Sequence, residues 1–227
     1  EDLTLRQGSF TLRADLEVPS GAVVAVIGPS GAGKSTLLSV IAGFLAPASG
    51  RVTWNGQDLT GLPPGARPVS VIFQDNNLFP HLSVFQNVAL GIRPSMRLLR
   101  DEEARVGAML ARVGLAGLEV RRPAELSGGQ QSRVALARIA VAGRPVALLD
   151  EPFAALGPAL RHEMLALVAE LAAETGLTVL IVTHDPEDAR RIAQRTILVA
   201  DGIAAAPVDT AALFTDPPPA LRAYLGT

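Results

Sequence analysis

With 227 residues, of which 48% are hydrophobic, the chain is long enough to bury a large core within one α/β domain. Its 20 basic and 22 acidic residues leave a net charge of -2, which gives no electrostatic reason to expect binding to nucleic acid or to an anionic membrane surface. The chain has no cysteine, which excludes disulfides, thiolate metal sites and cysteine nucleophiles.

The first residues, from Glu1 to Thr4, lack the basic and apolar regions of a signal peptide. No apolar stretch reaches the roughly 18 residues that a membrane-spanning helix needs. We therefore expect a cytoplasmic protein, which would act at a membrane only through a partner chain that spans it.

The first predicted elements are short strands around one helix. Residues 10–18 alternate apolar and polar side chains in part, which favours a half-buried antiparallel strand. The β-branched run at 23–27 predicts a buried strand, and the apolar residues 37–42 predict a helix. Residues 51–54 predict a strand that meets a turn at Asn55-Gly56.

The rest of the chain alternates apolar runs with helical patterns, as parallel sheets covered by helices do. Runs without alternation predict strands buried on both faces at 69–73, 146–149, 179–182 and 197–199. Helical patterns occupy 101–113, 130–142 and 158–174.

Two stretches of the chain carry few strand signals. Residues 74–125 contain three prolines, so we expect a mainly helical insertion there. The proline-rich tail at 216–219 predicts a stiff segment before a short amphipathic end.

The most informative motif is GPSGAGKST, which follows the strand predicted at 23–27. It fits the phosphate-binding pattern G-x-x-x-x-G-K-[ST], with a strand before it and a helix after it. Backbone N–H groups and the positive end of the helix dipole then point at one phosphate site. Lys34 can reach the β- and γ-phosphates, and the hydroxyl of Ser35 can bind Mg²⁺. The predicted ATP-binding residues are Gly28, Pro29, Ser30, Gly31, Ala32, Gly33, Lys34, Ser35 and Thr36.

A second candidate site follows the strand predicted at 146–149, where Asp150 and Glu151 stand in sequence. The carboxyl edge of a parallel sheet is where ligands bind in α/β folds. Asp150 is suited to hold Mg²⁺, and Glu151 is suited to act as the general base on an attacking water. A phosphate loop alone is compatible with kinases, GTPases and transport ATPases. The acidic strand end reduces the number of enzyme classes that fit the sequence.

A third motif precedes the helix predicted at 130–142 and consists of Leu126, Ser127, Gly128, Gly129 and Gln130. Two glycines at the mouth of a helix form a second candidate anion site. Two chains placed head to tail would use it, because each could close this motif over the nucleotide held by the other. A serine N-cap followed by a flexible turn is the simpler interpretation of the motif alone.

Single polar residues end two of the predicted strands. Gln74 ends one of them, near the expected position of Mg²⁺ and the γ-phosphate, and is both a metal and a catalytic candidate. His184 follows the apolar run at 177–183 and could contact the γ-phosphate and hold the attacking water. Each could instead be an ordinary polar strand end. His81 and His162 have no such setting, which indicates surface or packing roles.

The order of these motifs resembles that of the nucleotide-binding subunits of ABC transporters, over nearly the whole chain. In the terms of that family, residues 28–36 resemble Walker A, Gln74 the Q-loop and 126–130 the signature motif. Residues 146–151 resemble Walker B, and His184 resembles the switch histidine.

The resemblance implies an α/β fold with a P-loop NTPase core, a mainly parallel sheet, an N-terminal antiparallel β subdomain and a helical subdomain. The chain would be a single ABC ATPase domain, with its core at 1–74 and 143–227 and its helical subdomain around 75–142. ATP and Mg²⁺ would be its ligands, and ATP hydrolysis its reaction. Its partners would be a second copy of the chain in an ATP-sandwiched dimer, transmembrane permease subunits and, indirectly, a periplasmic solute-binding protein. Its place would be the cytoplasmic face of the bacterial inner membrane.

A narrower resemblance is to the ATP-binding subunits of bacterial thiamine importers, a branch of this family. It is carried by IAGFLAPASG at 41–50, RPVS at 67–70 and QDNNLFPHL at 74–82. The transported solute would then be thiamine or a thiamine phosphate. The permease would dock beside the Q-loop, on Asn76, Asn77, Leu78 and Phe79.

Other functions remain as alternatives at this point. An importer of iron, sulfate or a polyamine is the nearest one. A soluble ABC ATPase of DNA repair or translation is more distant, because such proteins usually have long coiled-coil insertions or two fused cassettes, and this chain has no heptad run. A metabolic P-loop kinase would leave the motif at 126–130 unexplained.

The chain departs from the family pattern in three ways. Arg6 and Gln7 lie where an aromatic residue usually stacks on adenine, and the nearest aromatic residue is Phe10. Ser132 replaces a common glutamine in the signature helix. Gly157 stands where an aspartate usually crosses the dimer interface. Without that aspartate, the family pattern does not predict how strongly the two ATP sites of a dimer would be coupled.

Overall fold

A computed structural model describes residues 1–226 of the chain. Within this range the strands are β1 (Leu3–Gln7), β2 (Phe10–Ala14), β3 (Val23–Ile27), β4 (Thr53–Trp54), β5 (Gln57–Asp58), β6 (Val69–Ile72), β7 (Val146–Asp150), β8 (Thr178–Val182), β9 (Arg195–Ala200), β10 (Ile203–Ala204) and β11 (Val208–Asp209). The α-helices are α1 (Lys34–Ala42), α2 (Val84–Ala89), α3 (Arg100–Arg112), α4 (Gly128–Ala142), α5 (Pro158–Thr175), α6 (Pro186–Ile192), α7 (Thr210–Thr215) and α8 (Pro219–Leu225).

The main sheet is mixed, and five neighbouring strands in it run parallel in the order β9, β3, β8, β7, β6. β10 pairs antiparallel with β9 and parallel with β2, so it connects the antiparallel pair of β1 and β2 to the same sheet. β11 pairs with β9, and β4 and β5 form a separate hairpin. Because the parallel strands share one direction, the loops that follow them lie along one edge of the sheet.

Three groups of buried apolar side chains form the core. The largest joins β7 and β8 to helices α2 to α5, with Leu110, Val134 and Leu165 among its members. A second lies between the sheet and α1, and a third lies beneath α6, α7 and α8. Helices therefore cover both faces of the parallel strands, which explains why β8 is buried along its whole length and lacks an alternating pattern.

The fold class predicted from the sequence is confirmed, including the antiparallel strands at the N-terminus and the helices within residues 75–142. The antiparallel strands extend the main sheet, however, and do not form a sheet of their own. The strand predicted at 10–18 stops at Ala14, because its partner strand begins at Leu3, directly opposite that residue. Among residues 1–226, no helix combines the length and apolar character that crossing a membrane requires.

Arg67 connects the end of α1 to the loop before β6. Its side chain is buried, and its guanidinium donates to the carbonyls of Val40 and Ile41 at 2.8 Å and to those of Thr60 and Leu62 at 2.9 Å. A positive charge at the C-terminal end of a helix also interacts favourably with the helix dipole. We infer that Arg67 helps the apolar side chains of α1 to keep this helix, and with it the phosphate loop, in place on the sheet.

Replacing Arg67 is therefore expected to destabilise the fold. Arg67→Met would leave the carbonyls of Ile41, Thr60 and Leu62 without a donor, while that of Val40 keeps the Gly43 N–H. It should lower the free energy of unfolding by about 2–4 kcal/mol in urea denaturation. Arg67→Lys retains the charge but not the planar fork, so its loss should be intermediate. The exposed Arg97→Met is the control and should change stability by less than about 0.5 kcal/mol. Equal stability of Arg67→Met and the parent would contradict this role.

Candidate functional site

The glycine-rich loop leaves the carboxyl end of β3, between β8 and β9, and leads into α1. Gly28 has a φ of 147°, and a Cβ at this position would lie 1.9 Å from the carbonyl oxygen of Val199. Gly33 has a φ of 106°, and a Cβ there would lie 2.7 Å from the Phe10 ring. Both positions thus require glycine, because backbone or an aromatic ring occupies the space of a side chain.

Lys34 is the first residue of α1, and only 7% of it is exposed. Its ammonium donates to the carbonyls of Gly28 at 2.8 Å and Pro29 at 2.9 Å. Burial lowers the pKa of Lys34, while the charges of Glu151 and Asp150 act to raise it. An ammonium has three donors, so one remains for a phosphate oxygen while the other two hold the side chain across the loop.

The loop forms one wall of a cavity of about 670 Å³, a volume typical of small-molecule sites. Of the predicted ATP-binding residues, seven line this cavity, namely Gly28, Ser30, Gly31, Gly33, Lys34, Ser35 and Thr36. The other walls come from distant parts of the chain and consist of Gln7, Phe10, Glu151, His184 and Tyr224. The structure therefore brings the loop together with the predicted base and the predicted switch histidine.

Two of the predicted Mg²⁺ ligands are in direct contact. The hydroxyl of Ser35 donates to Oδ1 of Asp150 at 2.9 Å. Burial raises the pKa of Asp150, and the neighbouring Glu151 charge adds to this rise, whereas the Ser35 hydrogen bond and the Lys34 charge act to lower it. A hydroxyl and a carboxylate at one point are oxygen donors of the kind that Mg²⁺ prefers.

The third predicted Mg²⁺ ligand, Gln74, is not brought to this point. It follows β6, which is separated from β3 by β8 and β7, and it is exposed and absent from the cavity wall. In the part of the chain that the structure describes, no group of three or more His, Asp or Glu side chains could hold a metal. The pair of Ser35 and Asp150 still fits Mg²⁺, because this ion commonly takes one or two protein ligands and fills its shell with water and phosphate oxygens.

Glu151 and His184 meet because β7 and β8 pair in parallel. Asp150 lies opposite Val182 in the ladder, and the Glu151 N–H donates to the Val182 carbonyl at 3.1 Å. Nδ1 of His184 then lies 3.1 Å from Oε2 of Glu151. Glu151 has a φ of 46°, in the left-handed region that a residue with a long side chain seldom adopts. A carboxylate held in this way at the cavity wall can accept a proton from a water. The imidazole of His184 can orient both the carboxylate and that water.

The signature residues lie at the start of α4 and away from the cavity. Ser127 is the N-cap, its hydroxyl accepts from the Gln130 N–H at 3.3 Å, and Gln130 Oε1 accepts from the Ser127 N–H at 2.9 Å. Leu126 is buried, Ser127 and Gly128 are exposed, and none of the five residues lines the cavity. One chain by itself therefore does not bring the signature motif to the phosphate loop.

Gly129 is buried, unlike its neighbour Gly128. A Cβ at Gly129 would lie 2.5 Å from the side chain of Leu160 on α5. At Gly128 the nearest side chain would be that of Leu156, at an ordinary contact distance of 3.5 Å. Packing within the chain thus explains the glycine at 129, and the open surface of the motif lies at 127 and 128.

The predicted docking segment is held by the helix that carries the signature motif. Asn76 and Asn77 both have positive φ, at 60° and 51°, which asparagine tolerates better than most residues. Arg138 of α4 donates to the carbonyl of Asn77 at 2.8 Å and to that of Asn76 at 3.1 Å. Burial lowers the pKa of Arg138. The loop conformation at 76 and 77 therefore depends on contacts with α4.

Leu78 and Phe79 differ in exposure: Leu78 is partly buried and packs against the largest core group. Phe79 is 46% exposed, and its backbone is fixed by the buried Asn87, which accepts from the Phe79 N–H at 2.8 Å and donates to its carbonyl at 3.1 Å. Leu78 thus anchors the segment, and Phe79 presents its ring outward.

The structure also places the residues at which the chain departs from the family pattern. Gln7 and Phe10 line the cavity, and Arg6 does not. Gly157 is the N-cap of α5 and has open space around it. Tyr224 lines the cavity but was missed by the sequence analysis; the only available signal was an aromatic residue in the amphipathic end after the prolines.

Comparisons with known proteins bear on the family of this chain. The family model described as ABC transporter matches residues 12–154. A protein of Cereibacter sphaeroides named thiamine import ATP-binding protein ThiQ is 67% identical over 224 residues, which cover 99% of this chain and 97% of the relative. A protein of the same name from a Ruegeria species is 59% identical, with 100% of this chain and 98% of the relative covered.

Solved structures give the same result for the fold. A nucleotide-free ATP-binding cassette from an ABC transporter matches with a TM-score of 0.87 and 26% identity, covering 100% of this chain and 98% of that one. A dimeric cassette in a post-hydrolysis state, bound to ADP and Pi, matches with a TM-score of 0.79 and 30% identity, covering 92% and 97% of the two chains. The family predicted from the order of the motifs is thereby confirmed, and the chain belongs to the ABC transporter family.

Proposed function

We propose that this chain is the ATP-hydrolysing subunit of an importer that carries thiamine or a thiamine phosphate. The observation that carries the proposal is the identity of 67% to a relative named thiamine import ATP-binding protein, over nearly the full length of both chains. The ATPase would not touch the solute itself, so the solute is inferred from relatives and the chemistry from the cavity.

The phosphate loop would bind ATP through its backbone N–H groups, with Lys34 donating to the β- and γ-phosphates. Ser35 and Asp150 would hold Mg²⁺, and Gln74 would join them if its loop moved toward the cavity. Mg²⁺ would neutralise charge on the phosphate oxygens. Phe10 lies at the cavity wall beside Gln7, and its ring is the candidate for contact with adenine.

Hydrolysis would depend on the pair of Glu151 and His184. Glu151 would accept a proton from the water that attacks the γ-phosphorus, while the bond from that phosphorus to the β-γ bridging oxygen breaks. His184, whose Nδ1 lies 3.1 Å from the Glu151 carboxylate, would keep this base oriented and contact the γ-phosphate. Glu151 follows β7 directly and His184 lies two residues after β8, so the sheet already holds the two residues close together before the reaction.

A second copy of the chain would complete each ATP site. The signature residues from Leu126 to Gln130 lie away from the cavity of their own chain, with Ser127 and Gly128 exposed at the mouth of α4. A related cassette has been solved as a dimer with ADP and Pi. The N-terminus of α4 would then face the γ-phosphate held by the partner.

The permease would dock at the segment from Asn76 to Phe79, with the exposed Phe79 ring as its main contact. This segment follows Gln74 directly, so docking and the approach of Gln74 to the cavity would influence each other. The chain would then be a peripheral subunit at the cytoplasmic face of the inner membrane, with a periplasmic solute-binding protein as an indirect partner.

Glu151→Gln tests the proposed base. The amide keeps the shape of the side chain but cannot accept the proton, so kcat should fall by about 10²–10⁴-fold while ATP affinity stays within about twofold. Size-exclusion chromatography with ATP should then show an accumulated dimer. Glu103→Gln, at an exposed position on α3, is the matched control and should behave like the parent. A Glu151→Gln variant with the parent's turnover would contradict the assignment.

Gly128→Asp tests the two-chain site better than a change at Gly129, because a Cβ at 128 would meet only the Leu156 side chain, at an ordinary contact distance of 3.5 Å. Its carboxylate would lie near the phosphates held by the partner, and like charges repel. We expect ATP binding to the single chain within about twofold of the parent, and loss of the ATP-dependent dimer and of ATPase activity by at least about tenfold.

The exposed Gly61→Asp adds the same charge elsewhere and should leave the dimer intact. A mixture of Gly128→Asp with Lys34→Ala should regain part of the activity, because one of the two sites in the mixed dimer then has neither change. An intact ATP-dependent dimer of Gly128→Asp would count against the sandwich arrangement.

Transport in proteoliposomes tests the solute and the docking surface together. The chain is assembled with the permease and solute-binding protein of a thiamine importer, and ATP-driven uptake of thiamine is expected, without uptake of iron, sulfate or polyamine. Phe79→Ala should keep the parent's thermal stability and basal ATPase activity. It should fail to assemble with the permease, and the rate of uptake should fall by at least about tenfold. Val120→Ala, at another exposed apolar residue, is the control. A large loss of thermal stability in Phe79→Ala, with assembly intact, would place Phe79 in the core instead.

A further inference from the structure

Tyr224 is the one tyrosine of the chain, and it lies on α8, the last helix. It is half-buried and lines the cavity together with Glu151 and His184. The helix is held by Leu221, which is fully buried and belongs to the same apolar group as Ala25 and Ile27 of the strand that leads to the phosphate loop. Packing of α8 on β3 thus brings the Tyr224 phenol near the phosphate loop, although the two are far apart in sequence.

The hydroxyl of Tyr224 donates to the backbone carbonyl of His184. Burial raises the pKa of Tyr224, and the charges of Asp185 and Glu151 add to this rise, so the phenol keeps its proton and remains a donor at neutral pH. The bond reaches the residue whose ring contacts Glu151, but through its backbone.

The two residues on either side of His184 are held by side-chain hydrogen bonds of their own. Thr183 donates to Asp188 of α6 at 2.8 Å, and Arg161 of α5 donates to Asp185 at 2.9 Å. The Tyr224 hydroxyl holds the residue between them. Among side chains of residues 1–226, it is the one that bonds the His184 backbone. The N–H of the same peptide, that of Asp185, donates to Oγ1 of Thr183 at 3.1 Å. Without the Tyr224 bond the His184 carbonyl would lose its side-chain donor, and the peptide would have more freedom to tilt and to shift the imidazole relative to Glu151.

We propose that Tyr224 is a positioning residue for ATP hydrolysis, which fixes the His184 backbone so that the imidazole stays against the Glu151 carboxylate. The proposal rests on the proposed roles of Glu151 and His184. In this proposal α8 contributes to catalysis indirectly, because its Tyr224 hydroxyl holds the backbone of His184.

Tyr224→Phe is the decisive variant, since it removes the hydroxyl and keeps the ring. Loss of one neutral hydrogen bond that orients a catalytic group should lower kcat by about 2–10-fold, with the KM for ATP and the melting temperature unchanged. Thr215→Val removes a hydroxyl of the neighbouring helix α7 that donates to the Ala211 carbonyl of the same helix, and it should leave kcat as in the parent. Tyr224→Ala should lower kcat at least as far as Tyr224→Phe.

Single-turnover rates in a His184→Ala background separate positioning from general packing. There the hydroxyl has no imidazole to position, so adding Tyr224→Phe should not reduce the rate further. A parent-like kcat in Tyr224→Phe, an increase in KM at unchanged kcat, or an equal reduction in both backgrounds would overturn the proposal. A parent chain without ATPase activity, or one in which Glu151→Gln is fully active, would instead refute the proposed function on which it rests.

Discussion

The parallel pairing of β7 with β8 is the contact on which the rest of the site depends. Because Asp150 lies opposite Val182, the chain leaves both strands at the same edge of the sheet, and Glu151 and His184 come within 3.1 Å of each other. β8 pairs in turn with β3, which leads into the phosphate loop. A slip of one residue between these strands would turn their side chains to the opposite faces and separate the base from the phosphate loop.

The charged groups at this edge of the sheet are partly buried, and burial favours their neutral forms. Burial lowers the pKa of Lys34 and raises that of Asp150, so each group would lose its charge more easily without the other. Lys34 is held by two carbonyls of its own loop, and Asp150 by the Ser35 hydroxyl. The strained φ of Glu151 lies at the same place. Perturbed ionisation and backbone strain concentrate where phosphate chemistry is expected, as they do in many active sites.

The other surfaces of the protein are organised around α4. Its N-terminus presents the exposed part of the signature motif, and ten residues later Arg138 holds the carbonyls of Asn76 and Asn77. One helix therefore contacts the proposed dimer surface and the proposed permease surface, and a rotation of this helix would displace both. The buried Asn87 adds a second support by fixing the backbone of Phe79. This arrangement gives a physical basis for coupling between the two surfaces.

By itself the sequence determined the family, the phosphate loop, the acidic strand end and the longer elements, because each of these is encoded locally in glycine spacing, apolar runs and polar strand ends. The tertiary structure decided which of these residues meet: Ser35 contacts Asp150, but Gln74 remains outside the cavity. It also decided that Leu78 is packed and Phe79 exposed, which hydrophobicity cannot distinguish. Tyr224 lies 40 residues beyond His184, and no local pattern links a C-terminal phenol to a backbone carbonyl at that distance in the chain. Such contacts arise only when the sheet and its covering helices are packed together.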